Sequence, residues 1–140
     1  MHIRSLGHVV LKVRDLRRSE AFYADTLGIS VVSRISDPAR MTFFTLGHHH
    51  DLALIELEGD AAPADPRAPG LAHVAFEVSG SISDLRAAKV ELESAGVVVQ
   101  HERRCGFAES IHVLDPDANE VELYVDISAT GQRGPPRLGE

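Results

Sequence analysis

Two segments of the chain repeat the same alternation of apolar and polar residues. Residues 6–13 (LGHVVLKV) and 71–78 (LAHVAFEV) both place a histidine after a small residue and then alternate towards a final valine. Both segments are rich in β-branched residues, which favours strands. Because successive side chains of a strand point to opposite faces, His8 and His73 are predicted to lie on the face opposite the valine that follows each of them. The alternation therefore predicts two equivalent strands with one histidine each.

A helix is predicted after each of these strands. Asp15 is a suitable N-cap for the first helix, and Ser81 or Ser83 is suitable for the second. Gly28 and Gly96 follow the periodic apolar positions and are predicted to end the two helices. The predicted core-facing positions are Leu16, Phe22, Tyr23 and Leu27 in the first helix and Leu85, Ala88, Leu92 and Ala95 in the second.

Three apolar, strand-like segments follow each helix, so each half of the chain reads βαβββ. These segments are residues 29–32, 41–46 and 52–57 in the first half, and residues 97–99, 110–114 and 121–125 in the second. The predicted class is α+β, with two tandem βαβββ modules at residues 1–58 and 71–127 that together form one structural domain. Residues 59–70 read as a Pro/Ala/Gly linker, and residues 128–140 as a flexible tail with little to bury.

The repeat extends to residues that can bind a metal ion. Glu56 and Glu122 lie between apolar residues of the last strand in each half, 48 residues after His8 and 49 residues after His73. Two imidazoles and one carboxylate form the facial triad that Fe(II) favours, whereas a fourth protein ligand favours Zn, Ni or Co. The predicted ligands are His8, His73 and Glu122, with Glu56 as a candidate fourth. The alternative is that these are ordinary strand residues, because a single strand histidine is usually a hydrogen-bonded structural residue.

Composition narrows the range of functions. The chain has 140 residues, of which 44% are hydrophobic and 25% are charged, enough for one domain with its own core. A net charge of −7, basic residues in short groups only and the absence of Trp argue against nucleic-acid binding. No segment approaches the roughly 20 apolar residues of a membrane span, and the first residues lack the apolar run of a signal peptide. The single cysteine, Cys105, cannot form an internal disulfide, so a cytoplasmic location is expected.

Taken together, these features resemble the vicinal oxygen chelate superfamily. The resemblance covers residues 3–127 and depends on the doubled βαβββ plan, the histidine at the start of each half and residues 115–124 (DPDANEVELY). The superfamily includes glyoxalase I, methylmalonyl-CoA epimerase, extradiol dioxygenases, and fosfomycin- and bleomycin-resistance proteins. It implies that the modules curl into an open β-barrel around one metal held by His8, His73 and Glu122. It also implies a homodimer, the usual state of small members.

Within the superfamily, residues 49–54 (HHDLAL) look most like the extradiol dioxygenases. In those enzymes a histidine just before such a strand is the acid–base catalyst, and His50 matches it. The two-residue period of a strand also predicts that His50 and Glu56 share one face and point into one cavity. His112 stands ten residues before Glu122, where extradiol relatives usually carry Tyr, and is a candidate second hydrogen-bond donor.

The resemblance implies an Fe(II)-dependent, extradiol-type ring-cleaving dioxygenase that acts on a catechol-like vicinal diol with O2. Mn, Ni, Zn and Co are alternative metals. One alternative function is a glyoxalase I- or epimerase-like lyase or isomerase, which needs Glu56 on the metal. Another is a non-enzymatic, drug-binding resistance protein, although such relatives often lack the metal ligands that are present here. The pair Cys105-Gly106 departs from the His-Gly pair that many small relatives carry at this place.

Overall fold

A computed structural model describes residues 1–62, 65 and 67–127. The predicted tail at 128–140 and part of the predicted linker therefore lie outside the described residues. The strands are β1 (Val9–Val13), β2 (Ser30–Ile35), β3 (Met41–Thr45), β4 (Leu52–Glu56), β5 (Val74–Glu77), β6 (Val99–Cys105), β7 (Ala108–Leu114) and β8 (Glu120–Asp126). The α-helices are α1 (Leu16–Ala21), which continues as a π-helix over Phe22–Thr26, and α2 (Ile82–Ser94). The α+β class and the doubled βαβββ order are confirmed.

The described chain divides into two compact units. The first unit contains residues 1–70 together with the short segment 115–119, and the second contains residues 71–114 and continues from Glu120. The boundary after Gly70 coincides with the end of the predicted linker. The membership of residues 115–119 in the first unit was not expected, because these residues connect β7 to β8 in the chain.

In the first unit, four strands form an open sheet in the order β1-β4-β3-β2, with β1 parallel to β4. The predicted alternation in β1 is confirmed, since Leu11 and Val13 are buried and Val10 is 42% exposed. Asp15 is the N-cap of α1, where its side chain accepts the Arg18 N–H at 3.0 Å. The core on the helix side of this sheet also includes Leu16, Phe22, Tyr23, Phe44, Leu52 and Leu54.

The second unit repeats this arrangement with the strand order β5-β8-β7-β6 and β5 parallel to β8. Ser81 is the N-cap of α2, and its N–H donates to the Asp84 carboxylate at 2.6 Å. Ala95, expected in the core, is exposed because the helix ends at Ser94. The buried apolar residues of this unit are Phe76, Leu85, Leu92, Ala108, Ile111, Val113, Val121, Leu123 and Val125.

Neither four-stranded sheet closes on itself. The outermost strands are β1 and β2 in the first sheet and β5 and β6 in the second, so each sheet has two open edges within the described residues. None of the described helices is both long enough and apolar enough to cross a membrane.

Residues 115–119 form a hydrogen-bonded turn that packs against the first helix. Asp115 is 5% exposed, and its carboxylate accepts the N–H groups of Asp117 and Asn119 at 2.9 and 2.8 Å. The same carboxylate accepts the hydroxyl of the fully buried Tyr23 at 2.9 Å. Burial and the neighbouring Asp115 charge raise the pKa of Tyr23 above its ordinary range, so this hydroxyl keeps its proton. Asp115, one of the residues that contributed to the family resemblance, therefore has a structural role.

Candidate metal site

One face of the second sheet brings two histidines and a glutamate together. Ala75 of β5 pairs with Glu122 of β8, and His112 of β7 pairs with the same glutamate from the other side. His73 lies one residue before β5, which places it on the same face as Ala75 because side chains two positions apart point the same way. The pairing register therefore gathers His73, His112 and Glu122 on one side of the sheet.

Donor atoms on this face lie close enough to share one ion. The Nε2 atom of His73 is 3.1 Å from Oε2 of Glu122, and the Nε2 atom of His112 is 3.6 Å from Oε1 of Glu122. Glu120 is on the same face, and potential ligand atoms of His73, His112 and Glu120 all lie within 4.8 Å of one another. Imidazole nitrogen with carboxylate oxygen is a donor set that suits Fe, Zn, Ni or Co. These residues therefore fit a divalent transition metal.

The ring of His112 is held from three sides. Its Nδ1 atom lies 2.7 Å from Oε1 of Glu120, and its Nε2 atom lies 3.4 Å from the hydroxyl of Ser110. The ring of His101 stacks on it, with 4.2 Å between centroids and 23° between planes. The side chain of His112 is only 3% exposed, so its orientation is set by packing as well as by hydrogen bonds. His112 thus presents Nε2 towards Glu122 in a fixed direction.

Glu120 and His101 belong to this cluster but were not predicted from the sequence. The signal for Glu120 is its two-residue spacing from Glu122, which puts both carboxylates on one face of β8. His101 is recognisable only from the register of β6 on β7, where a bulge follows Val99 and His101 pairs with His112. A bulge of this kind changes the strand face that a residue occupies, so spacing alone does not predict the contact.

In the first unit, His8 lies against His50. Their ring centroids are 4.4 Å apart, and His50 also contacts the ring of Phe43 edge-on at 5.4 Å. His49 is the third ring in this group, 4.4 Å from His50. Partial desolvation lowers the pKa of His50, and the neighbouring His49 and His8 rings lower it further, so its neutral form is favoured. By contrast, the side chain of His48 is 86% exposed.

The structure places Glu56 away from His8. Its Oε1 atom accepts the N–H of Leu16 at 2.9 Å, and its Oε2 atom accepts an N–H of Arg40 at 2.5 Å. Glu56 pairs with the buried Val13 of β1 and therefore lies on the helix-covered face, whereas His8 is on the opposite face. The Glu56 carboxylate is thus hydrogen-bonded at the start of α1. The structure does not bring this candidate fourth ligand to the predicted metal site.

The expectation that His50 and Glu56 share a face is also wrong. His50 lies in the loop before β4, where the two-residue period of a strand does not apply. Its contact with Phe43 puts it on the face of Ala53, which is the strand partner of Phe43. His50 is therefore brought to His8 by the path of the loop.

An arginine-rich cavity of about 410 Å³ lies on the helix-covered side of the first sheet. Two of its arginines, Arg34 and Arg40, are paired with the carboxylates of Glu20 and Glu56 at 2.7 and 2.5 Å. These charges are therefore compensated within the first unit, on the sheet face opposite His8. The cavity does not belong to the histidine cluster.

Comparison with known proteins places these features in a family. Residues 5–123 match the model of the Glyoxalase/Bleomycin resistance protein/Dioxygenase superfamily. The chain is 34% identical over 126 residues to biphenyl-2,3-diol 1,2-dioxygenase 3 of Rhodococcus globerulus; the match covers 89% of this chain and 65% of that enzyme. The chain thus spans slightly less than two thirds of the length of this relative.

Solved structures show the same fold. A glyoxylase/bleomycin resistance protein/dioxygenase domain from Frankia sp. EAN1pec superposes with a TM-score of 0.76 at 26% identity, covering 89% of this chain and 99% of that one. Lactoylglutathione lyase from Agrobacterium tumefaciens superposes with a TM-score of 0.68 at 27% identity, covering 89% and 95%. The structural neighbours thus include proteins named for different reactions.

Proposed function

Because the chain belongs to the Glyoxalase/Bleomycin resistance protein/Dioxygenase superfamily, we propose that it is a divalent-metal enzyme whose substrate binds through two adjacent oxygen atoms. The observation that carries the proposal is the 3.1 Å contact between His73 Nε2 and Glu122 Oε2 on one sheet face. We propose His8 as the third ligand, since it precedes β1 as His73 precedes β5. Fe(II) is the first choice for two imidazoles and one carboxylate, with Mn, Ni, Zn and Co as alternatives.

The reaction we propose is extradiol-type cleavage of a catechol-like vicinal diol with O2. The similarity to the Rhodococcus dioxygenase supports it, and so does the packing of His50 against His8. The bound metal would supply Lewis acidity that makes the substrate hydroxyls easier to deprotonate. His50 would accept one of these protons, because a histidine with a lowered pKa is neutral at pH 7 and can act as a general base.

Oxygen consumption tests this reaction directly. The apo-protein is loaded with Fe(II) without air and then mixed with catechol, 3-methylcatechol or biphenyl-2,3-diol in an oxygen electrode. We expect oxygen uptake with at least one diol, a loss of roughly 100-fold or more in kcat for His50→Ala, and a near-normal rate for the neighbouring control His49→Ala. The absence of oxygen uptake with every diol, from protein that retains one equivalent of iron, would rule out the dioxygenase.

A glyoxalase-type lyase or isomerase is the second candidate, favoured by the similarity to the Agrobacterium lactoylglutathione lyase. In this chain Glu56 is engaged by Leu16 and Arg40, so such a reaction would depend on Glu122 as the proton-transferring carboxylate. The test is formation of lactoylglutathione from methylglyoxal and glutathione by protein loaded with Ni(II) or Zn(II) under nitrogen. Turnover there, without oxygen, would favour this candidate over the first.

We also propose that the protein works as a homodimer, as small members of the superfamily often do. Light scattering of the purified chain at micromolar concentration tests this, and a mass near 15.2 kDa at all concentrations would contradict it.

A further inference from the structure

We infer that the first unit carries a binding site for a small organic carboxylate, in the cavity between α1 and the strands β2 and β3. The guanidinium groups of Arg17, Arg34 and Arg40 line this cavity and are the proposed contacts of the carboxylate. The inference concerns the first unit alone. It does not rest on the proposed metal site or reaction, because the cavity lies on the sheet face opposite His8.

The strand register places two of these arginines on the helix-covered face of the sheet. Arg34 of β2 pairs with Thr42 of β3, and directly opposite residues of an antiparallel pair share one face. Thr42 is fully buried, so this face is the one that α1 covers. Arg40 lies two positions before Thr42, and its guanidinium contacts Glu56 on the same face. Arg17 reaches the same cavity from α1.

Ion pairs hold two of the three guanidinium groups in place and leave donors unused. Arg34 donates to Glu20 from Nε at 3.0 Å and from Nη2 at 2.7 Å, and Glu20 also accepts the hydroxyl of Thr42 at 2.6 Å. Arg40 donates from Nη1 to Glu56 at 2.5 Å. Each guanidinium has five N–H donors, so Nη1 of Arg34 and Nη2 of Arg40 remain without a partner among the described residues. These donors can bind an added carboxylate without breaking either ion pair.

Arg17 carries the positive charge that is not compensated. Its guanidinium makes neither a hydrogen bond nor an ion pair within the part of the chain that the structure describes. The cavity is lined by three arginines and by one carboxylate, that of Glu20, and Glu56 compensates Arg40. Asp15 lines only an adjoining cavity, where its carboxylate accepts a backbone N–H as the N-cap of α1. One positive charge therefore remains in this cavity, which matches a monoanion.

The rest of the cavity lining is partly apolar. Leu16, Ile35 and Met41 line it, and Ile35 is 40% exposed although its side chain is large and apolar. The cavity volume of about 410 Å³ lies within the range of roughly 300–1,000 Å³ that is usual for small-molecule sites. Arginine pairs with a carboxylate through parallel hydrogen bonds, and an apolar ligand body would cover the exposed aliphatic side chains. The ligand class is therefore an organic monocarboxylate with a compact apolar body.

Titration of the 15N-labelled full-length protein with benzoate, followed by assigned 1H–15N NMR spectra before any metal is added, tests the inference. We expect benzoate to shift the backbone amide signals of residues 16–17, 34–36 and 40–42, with a Kd of roughly 1 mM for a half-exposed charged site. Benzamide keeps the ring without the charge, whereas acetate and inorganic phosphate keep a charge without the ring. Each of these three probes should bind at least about fivefold more weakly than benzoate, because each lacks one of the two contributions.

Arg17→Gln is the decisive variant, because it removes the uncompensated charge from a side chain that has no partner among the described residues. We expect it to weaken benzoate binding roughly three- to tenfold. Arg17→Lys keeps the charge without the planar fork and should give an intermediate affinity. Arg18→Gln is the matched control: it removes the same charge from the next residue, which does not line the cavity, and should bind benzoate like the wild type.

Equal weakening in Arg17→Gln and Arg18→Gln, or equal binding of benzoate and benzamide, would overturn the inference. Signal shifts confined to the surroundings of His73 and Glu122 would also overturn it, because benzoate would then bind at the candidate metal site. If Arg17→Gln does not fold, the shift map and the comparison of the four probes on the wild type decide the question. The proposed function is tested separately, since Arg17→Gln should leave Co(II) binding unchanged.

Discussion

Replacing Glu56 with Ala should destabilise the protein and leave metal binding unchanged. Glu56 is the residue that a four-ligand site would require, yet its carboxylate accepts the N–H of Leu16 at 2.9 Å and an N–H of Arg40 at 2.5 Å. The first bond satisfies one of the N–H groups that have no partner within the helix at the start of α1. The substitution therefore separates a structural task from a metal-binding task.

The expected cost follows from these two contacts. Loss of this acceptor at the helix N-terminus costs about 1 kcal/mol, or up to about 3 kcal/mol where the part-buried Leu16 N–H is left without a partner. The ion pair with Arg40 adds at most about 1 kcal/mol, because the arginine side chain is 58% exposed. We expect Glu56→Ala to lower the free energy of unfolding by about 1–4 kcal/mol, and Tm by roughly 3–15 °C in a chain of this size.

Urea unfolding and Co(II) titration of the same preparations provide the assay. Glu56→Gln is the matched control, because its amide oxygen can still accept from Leu16 while the charge is lost, and it should retain most of the stability. The Co(II) affinity of both variants should stay within about twofold of the wild type. A tenfold or larger loss of Co(II) affinity in Glu56→Ala, with an unchanged free energy of unfolding, would refute this reasoning and support Glu56 as a metal ligand.

Two further predictions concern the first unit. Tyr23→Phe removes the buried donor to Asp115 and should lower the free energy of unfolding by about 1–2 kcal/mol in urea; a change below 0.3 kcal/mol, taken as roughly the measurement error, would contradict it. Hydrogen bonds from Arg34 lower the pKa of Glu20 in the folded protein. The stabilisation by the ionised Glu20 carboxylate is therefore complete above the unfolded-state pKa of about 4.3, and it is lost as pH falls through the lower folded-state pKa. The stability difference between the wild type and Glu20→Gln should therefore shrink between about pH 5 and pH 3, and a difference that is constant with pH would contradict the assignment.

The sequence predicted the order of elements well because that order is encoded locally. Asp15 and Ser81 were identified as caps from residue type, and Gly28 has the positive φ of 73° that its position after a helix suggested. The alternation around His8 and His73 also predicted the correct strand faces. These features depend on a few adjacent residues, so neighbouring residues alone were enough to identify them.

Contacts between strands were harder to predict because they depend on register and on loops. The stacking of His101 on His112 follows a bulge after Val99, and no pattern in residues 97–105 marks that bulge. The packing of His50 on Phe43 depends on the loop before β4, in which Asp51 accepts the N–H of Leu46 at 2.6 Å. Neither contact has a fixed spacing in sequence.

The apparent repeat of the two glutamates shows how a spacing can mislead. Glu122 pairs with Ala75, the second residue after His73 in its half. The corresponding residue after His8 is Val10, and its partner is Ala53, three positions before Glu56. The similar spacings of 48 and 49 residues therefore arise from connections of different length and not from equivalent positions. The first unit therefore has Ala53 at the register position where the second unit has Glu122, and His112 and Glu120 lie beside that carboxylate in the second unit.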